Sequence, residues 1–348
     1  MSWANVSPKN NFNRQASSVN QPMISKTQHS TEIASAACPS CQSKRIADRW
    51  ATRRIPGSKM VLWCQVCGLG WQHPLPTPSD IRYYYHRFPT YNIHGTNEKE
   101  QGFRRRIQRI EKITCDKGRL LDIGSGLGTF LKLALKNGWQ TTGVEPQESA
   151  AEYCRRHLGI TAYFRPIEEI DLGPKVFDVV TIWDVWEHVH SPVDFIDQCI
   201  GLLAPNGLLA LSIPNASGYP ARLFRGNWRY VMYTHLSYFT LPYVHRVMGK
   251  RNMHFQWADH TLKAQSLLQG LTLMLRIPIK PERLIRLGRK EGSASNQDQD
   301  RQPGFKSKKK ADPTAILSWI RRLVLKANLH PLPFSRGDMM DLYFKKGS

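Results

Sequence analysis

The stretch from Arg119 to Leu135 constrains the fold more than any other. A short apolar strand, Arg119-Leu120-Leu121-Asp122-Ile123, runs into Gly124-Ser125-Gly126-Leu127-Gly128 and then directly into a helical pattern from Thr129. Three glycines in five residues let the backbone turn sharply and let a ligand approach it closely. A strand, a glycine turn and a helix in that order open a βαβ unit, whose ligand crevice lies beyond the carboxyl ends of the strands. The alternation continues. Thr141–Glu145 reads as a strand, Ser149–His157 as a helix, Ile160–Phe164 as a strand, and Val176–Ile182 as a strand apolar enough to be buried on both faces. A helix from Pro192 leads to the turn Pro205-Asn206-Gly207 and a strand at Leu208–Ile213. Such a succession predicts an α/β fold with a doubly wound, mostly parallel sheet.

Glu145 ends the second strand, 23 residues after Asp122. A carboxylate at that tip accepts hydrogen bonds from both hydroxyls of a ribose. That argues for an adenosine ligand in general, because a dinucleotide-dependent dehydrogenase uses the same acid at the same place.

Ahead of the core, Cys38-Pro39-Ser40-Cys41 and Cys64-Gln65-Val66-Cys67 stand 22 residues apart. Two tight turns, each presenting two thiolates, predict a closed tetrahedral site for a structural Zn2+, with a redox dithiol as the other reading. Met60–Trp63 reads as a strand entering the second turn, and Gly68 suits the backbone after it. Seven cysteines, four of them in these pairs, fit a reducing, cytoplasmic setting better than a secreted disulfide framework. The organisation expected is a disordered tail over 1–37, a zinc ribbon over 38–75, and a connector with a helix over 76–117. A nucleotide-binding core over 118–259, a basic insertion over 260–336 and a final strand over 337–348 complete it. In the connector, the bland reading of Arg104, Arg105, Arg106 and Arg109 is a solvated helix face, and that of Tyr83-Tyr84-Tyr85 is packing between units.

Net charge is +22. It favours a polyanionic partner without choosing between nucleic acid, an anionic membrane face and phosphorylated sugars. The cluster Lys306 to Lys310 reads first as a solvated linker, and otherwise as a contact for a membrane surface or nucleic acid. No apolar run is long enough to span a bilayer.

Three motifs in order carry a family resemblance. Leu121-Asp122-Ile123-Gly124-Ser125-Gly126-Leu127-Gly128 resembles motif I of class I methyltransferases that use S-adenosylmethionine (SAM). Phe177-Asp178-Val179-Val180-Thr181-Ile182-Trp183-Asp184-Val185-Trp186-Glu187-His188-Val189 resembles their fourth-strand motif, and Leu203-Ala204-Pro205-Asn206-Gly207 their fifth-strand turn. The similarity spans about residues 120–257 and is nearest the ubiquinone-type and sugar methyltransferase branch. The four-cysteine module is similar to zinc ribbons that precede some bacterial polysaccharide and deoxysugar methyltransferases. Gln42 departs from their usual Cys-Gly continuation.

The resemblance implies a seven-stranded Rossmann-like sheet, with a sixth strand at Met253–Trp257 and an antiparallel seventh at Met339–Phe344. It implies SAM held by Asp122, Gly124, Ser125, Gly126, Gly128, Glu145 and Pro146, with Glu168 and Asp184 nearby. The acceptor implied is a hydroxyl or a carbon of a sugar, a glycan precursor or a related small metabolite, with an RNA methyltransferase and a non-catalytic SAM-binding module as the alternative readings. His188, His235 and Glu187 are candidates for the catalytic groups, the packing of a following helix being an equal reading for His188. Asp184, Glu187 and His188 also match the acid-x-x-Glu-His pattern that implies a divalent ion such as Mg2+ in ubiquinone-type relatives. Tyr219, Phe224, Trp228, Tyr230 and Tyr233 form a candidate aromatic wall.

Overall fold

The computed structural model describes residues 36–52, 54–55, 60–87, 97–174, 176–262 and 337–348. The tail, nearly all of the basic insertion and the lysine cluster therefore lie outside the described residues.

The predicted alternation produces one seven-stranded sheet. Its strands are β4 (Arg119–Ile123), β5 (Gln140–Val144), β6 (Thr161–Tyr163), β7 (Phe177–Trp183), β8 (Leu203–Pro214), β10 (Met253–Thr261) and β11 (Met339–Lys346), in the order β10-β11-β8-β7-β4-β5-β6. β6, β5, β4, β7 and β8 pair in parallel, so each connection between them must cross over. Three connections run through helices α3 (Thr129–Lys136), α4 (Glu148–Leu158) and α5 (Pro192–Gly201), the last opened by a proline in its first turn, and the β6–β7 connection through the single helical turn Ile167–Glu169. β11 lies antiparallel between β8 and β10, the place expected of the seventh strand. β8 starts at Leu203, earlier than the sequence suggests, because the Pro205-Asn206-Gly207 turn is an irregularity inside the strand.

Both faces of the sheet are apolar. Leu121, Ile123, Val180, Ile182, Leu209 and Leu211 pack on one side; Leu120, Val179, Leu208 and Ala210 pack on the other with Phe130 and Trp139. Helix α2 (Asn97–Thr114) covers the second side through Phe103, Ile107 and Ile110. Here the structure corrects the view of its arginines as a solvated face. Arg104 and Arg105 are exposed, but Arg106 turns inward, donates to both oxygens of Asp341 at 2.8 Å and to Ser212 Oγ at 2.8 Å, and lies over the Trp183 ring. Arg109 pairs with Asp259 and lies over Trp257. Two arginines of α2 thus clamp β10 and β11, which close the sheet from far along the chain.

The four-cysteine module is knitted into this core. Its strands β1 (Ile46–Ala51), β2 (Met60–Cys64) and β3 (Gly70–His73) form an antiparallel sheet whose fourth strand is β9 (Ser237–Tyr238), from just before helix α6 (Leu241–Gly249). Cys38, Cys64, Cys67, Leu69 and Trp71 share one hydrophobic cluster with Phe239, Tyr243 and Val244. Tyr243 donates to Ser40, and Arg246 donates to the carbonyls of Val66 and Cys67. Helix α1 (Pro78–Arg87) follows the module. No helix among the described residues is long and apolar enough to cross a membrane.

Candidate active site

The glycine turn leaves β4 with Gly124, Gly126 and Gly128 at φ of 77°, 54° and 70°, the left-handed region that a side chain disfavours. Space is as restrictive as conformation. A Cβ on Gly124 would lie 2.3 Å from Val185 Cγ2. The turn is latched to the end of β5: the amides of Gly124 and Ser125 both donate to the Val144 carbonyl, at 2.8 and 3.1 Å.

Glu145, 2% exposed, completes this half. Its Oε2 accepts the Gly126 amide at 2.8 Å and its Oε1 the Gln147 amide at 2.9 Å. Two backbone amides fix the carboxylate at the tip of β5. Ser125 Oγ is buried without a protein partner, a polar atom left for a ligand. Asp122 is 2% exposed and accepts the Thr181 hydroxyl at 2.6 Å. Burial pushes its carboxyl up to about 7, against the pull of the Thr181 hydrogen bond. Pro146 is exposed beside Glu145, and Glu168 is exposed on a single helical turn after β6. The donor set, the left-handed turn and the orphaned hydroxyl fit the polar ends of SAM.

The second half begins where β7 ends. Asp184 has φ 60° and accepts the Ser212 hydroxyl at 2.8 Å. A helical turn, Trp186–His188, then carries Glu187 and His188. Trp186 is wholly buried, stacks on Phe239 at 4.3 Å and donates to the Pro192 carbonyl. It is an anchor in the core, and Trp183 is likewise packed edge-on against Phe130. The anchored turn faces the segment before β9, where the Leu236 amide donates to the Glu187 carbonyl at 2.8 Å. Glu187, His188 and His235 are thereby brought together, one ligand atom from each lying within 4.8 Å of the others. The His188 and His235 rings meet edge to face at 4.7 Å.

Burial sets the charge of this trio. It pushes the Glu187 carboxyl well above its ordinary range, with Asp184 adding to the rise. It pushes His188 down, and His235 well down with help from its neighbour His188. Burial thus favours the uncharged form of all three groups. Glu187 Oε2 and His235 Nδ1 are buried without a protein partner. His188 Nδ1 lies 2.8 Å from the Thr234 carbonyl oxygen, which can only accept, so Nδ1 carries the proton and Nε2 is the bare nitrogen.

The structure does not gather the metal set suggested by the acid-x-x-Glu-His pattern. The metal-competent group contains His235, while Asp184 is exposed and bonded to Ser212. One carboxylate and two imidazoles do not fit Mg2+, which prefers oxygen donors in an octahedron. The other metal-competent group is the four cysteines. Two Sγ pairs, Cys38–Cys67 and Cys41–Cys64, are 3.5 Å apart. Four sulfurs on a tetrahedron with Zn–S of ~2.3 Å lie roughly 3.8 Å apart, so the cluster fits zinc closely.

The aromatic wall divides. Phe224 and Trp228 are buried in a core of their own, Trp228 donating to Asp338, and Tyr219 is 59% exposed. Tyr230 lies parallel to His235, and Tyr233 packs on Tyr84 of α1 at 5.4 Å. Tyr85, which sequence reasoning left as packing, reaches His188 itself, its hydroxyl 3.1 Å from Nδ1. Nothing in the Tyr-Tyr-Tyr pattern distinguishes the three; the helix turn alone puts Tyr85 inside and Tyr83 outside.

Comparison with known proteins bears on this arrangement. Residues 96–254 match a family model described as a methyltransferase domain. Over these residues the chain is similar to methyltransferases. It is 34% identical over 118 residues to a ubiquinone biosynthesis O-methyltransferase of Bradyrhizobium diazoefficiens, a match covering 32% of this chain and 46% of that protein. It is 32% identical over 116 residues to the protein of the same name from Coxiella burnetii, covering 32% and 50%. The chain spans about half the length of these curated relatives. Among solved structures, a SAM-dependent methyltransferase from Archaeoglobus fulgidus aligns with a TM-score of 0.43 at 17% identity, covering 76% of this chain and 99% of that one. A 1,6-didemethyltoxoflavin-N1-methyltransferase from Burkholderia thailandensis aligns at 0.45 and 14%, covering 84% and 97%.

Proposed function

We propose that this protein transfers a methyl group from SAM to a hydroxyl of a sugar, a glycan precursor or a related polyhydroxylated small molecule. The observation that carries the reading is the convergence of Glu187, His188 and His235 at the carboxyl end of β7, meeting the glycine turn where Gly124 approaches Val185. In the cofactor half, Glu145 accepts the ribose hydroxyls, the glycine turn admits the aminoacyl chain, and Asp122 takes up negative charge opposite the ammonium, directly or through water. SAM, when bound, supplies an electrophilic methyl on a sulfonium. The chain's task is then alignment, exclusion of water and removal of one proton.

In the acceptor half, the bare Nε2 of His188 accepts the proton of the attacking hydroxyl. His235 Nδ1 accepts from a neighbouring hydroxyl and protonated Glu187 donates to one. A pocket with two acceptors, one donor and the rings of Tyr230 and Tyr233 suits a ligand with several hydroxyls on a ring. The four cysteines hold a structural zinc and leave no open coordination position. Two of the relatives are named for ubiquinone biosynthesis, and a phenolic hydroxyl would use the same proton acceptor.

The test is transfer of isotope-labelled methyl from SAM to a panel of nucleotide sugars, free deoxysugars and catechols. Labelled sugar that vanishes in His188→Gln supports the reading. Labelling of catechol alone would move the acceptor to the phenol class, and no transfer to any hydroxyl would overturn the O-methylation.

A further inference from the structure

Tyr85 belongs to helix α1, directly after the four-cysteine module and about a hundred residues from His188 in sequence. Its hydroxyl is nonetheless 3.1 Å from His188 Nδ1, with the rings edge-on at 6.4 Å. The Thr234 carbonyl is 2.8 Å from the same nitrogen. Two oxygens therefore face one ring nitrogen. Because the carbonyl fixes the proton on Nδ1, the tyrosine oxygen can only accept there. Burial raises the phenol far above neutrality, so it stays un-ionised.

The surroundings of α1 hold Tyr85 in place. Tyr84 packs on Tyr233, and His190 Nε2 is 2.9 Å from the Pro76 carbonyl just ahead of the helix. One strand further back, the Gln72 amide donates to the Leu236 carbonyl at 2.9 Å, and Trp71 pairs with Ser237. The cysteine module and its helix thus converge on the two chain segments that bear His188 and His235.

We propose that Tyr85 is a positioning residue: with the Thr234 carbonyl it locks His188 in the Nδ1–H tautomer, keeping Nε2 bare toward the acceptor, and so makes the four-cysteine module a structural part of the acceptor site. The inference rests on the reading of His188 as the proton acceptor. A half-turn of the ring would put a C–H against the Thr234 oxygen and aim an N–H away from it. The carbonyl alone resists that turn with one hydrogen bond, and the tyrosine oxygen adds a second contact on the same edge.

The experiment uses the zinc-loaded full chain, labelled with 15N, and long-range proton–nitrogen correlation spectra of its imidazoles. His188→Gln assigns the His188 signals. Expected in wild type is a single neutral tautomer protonated at Nδ1. Tyr85→Phe should shift the Nδ1 resonance and introduce the second tautomer, while Tyr84→Phe leaves the His188 signals in place. Affinity for S-adenosylhomocysteine (SAH), read by calorimetry, should stay within about twofold in Tyr85→Phe. His188 signals in Tyr85→Phe that superimpose on wild type, or a wild-type His188 protonated at Nε2, would overturn the proposal. The base reading fails separately: if His188→Gln still transfers labelled methyl, His188 is not the proton acceptor, whatever Tyr85 does to its tautomer.

Discussion

The proposed cofactor half of the site is built from residues between Asp122 and Glu145, mostly from backbone. The proposed acceptor half draws on Tyr85, Glu187, His188 and His235, mostly from side chains, and needs three separated segments to meet. A backbone-made cradle depends on local conformation, so it forms wherever β4, the glycine turn and α3 form. A side-chain cluster from distant segments depends on everything that positions them, here the stacking of Trp186 on Phe239 and the pairing of β3 with β9. The first half should therefore fail through single local changes, and the second through changes made far away.

The largest effect expected is on the cofactor half alone. Gly124→Val adds a side chain at φ 77° where even a Cβ meets Val185 at 2.3 Å. SAH affinity should fall by more than about a hundredfold in calorimetry, with the circular dichroism spectrum retained. Unchanged affinity would break the comparison at its stronger side.

Next is the remote lever on the acceptor half. Removing zinc with a chelator, or substituting Cys67→Ser, should lower the melting temperature by about 10 °C and abolish methyl transfer. At temperatures where the chain stays folded, SAH affinity should change by no more than about threefold. Equal loss of both functions would mean that the two halves are one unit.

A smaller effect separates the halves by pH. The Asp122 carboxyl is raised to about 7 by burial, so it contributes stability below the ordinary carboxylate range that is lost as pH rises through about 7. An ammonium ligand needs the ionised form. SAH should bind roughly tenfold more weakly at pH 6 than at pH 8, with proton release visible as a buffer-dependent binding enthalpy, and Asp122→Asn should remove the dependence.

What the sequence disclosed follows the same division. The strand–turn–helix and the succession of core strands along the chain were legible because hydrophobic period and glycine placement are local signals; the antiparallel β11 was expected from the family resemblance. Glu187, His188 and His235 were legible as residue types. Their convergence was not, since it depends on β9 pairing with the cysteine module, and a two-residue strand leaves no period to detect. Arg106 illustrates the limit: among four similar arginines on one helix, only tertiary structure gives it Asp341, which lies in the last strand. The aromatic residues divide for the same reason: Trp228 has an apolar core and a partner in Asp338, the core packing that is the commoner fate of any one of them.

The smallest effect sharpens the edge between the halves. Tyr84→Ala, which removes the packing on Tyr233 at the acceptor rim, should raise the acceptor KM by about threefold and leave kcat and SAH affinity unchanged.

The central claim is that one crevice holds SAM by its glycine turn and Glu145 and treats the acceptor with a separate trio. The most direct measurement is calorimetric titration of SAH into wild type, Glu145→Ala and His188→Gln. Expected are binding to wild type, loss of about a hundredfold or more in Glu145→Ala, and unchanged affinity in His188→Gln. Absence of binding to the wild-type chain, or equal affinity in Glu145→Ala, would contradict it.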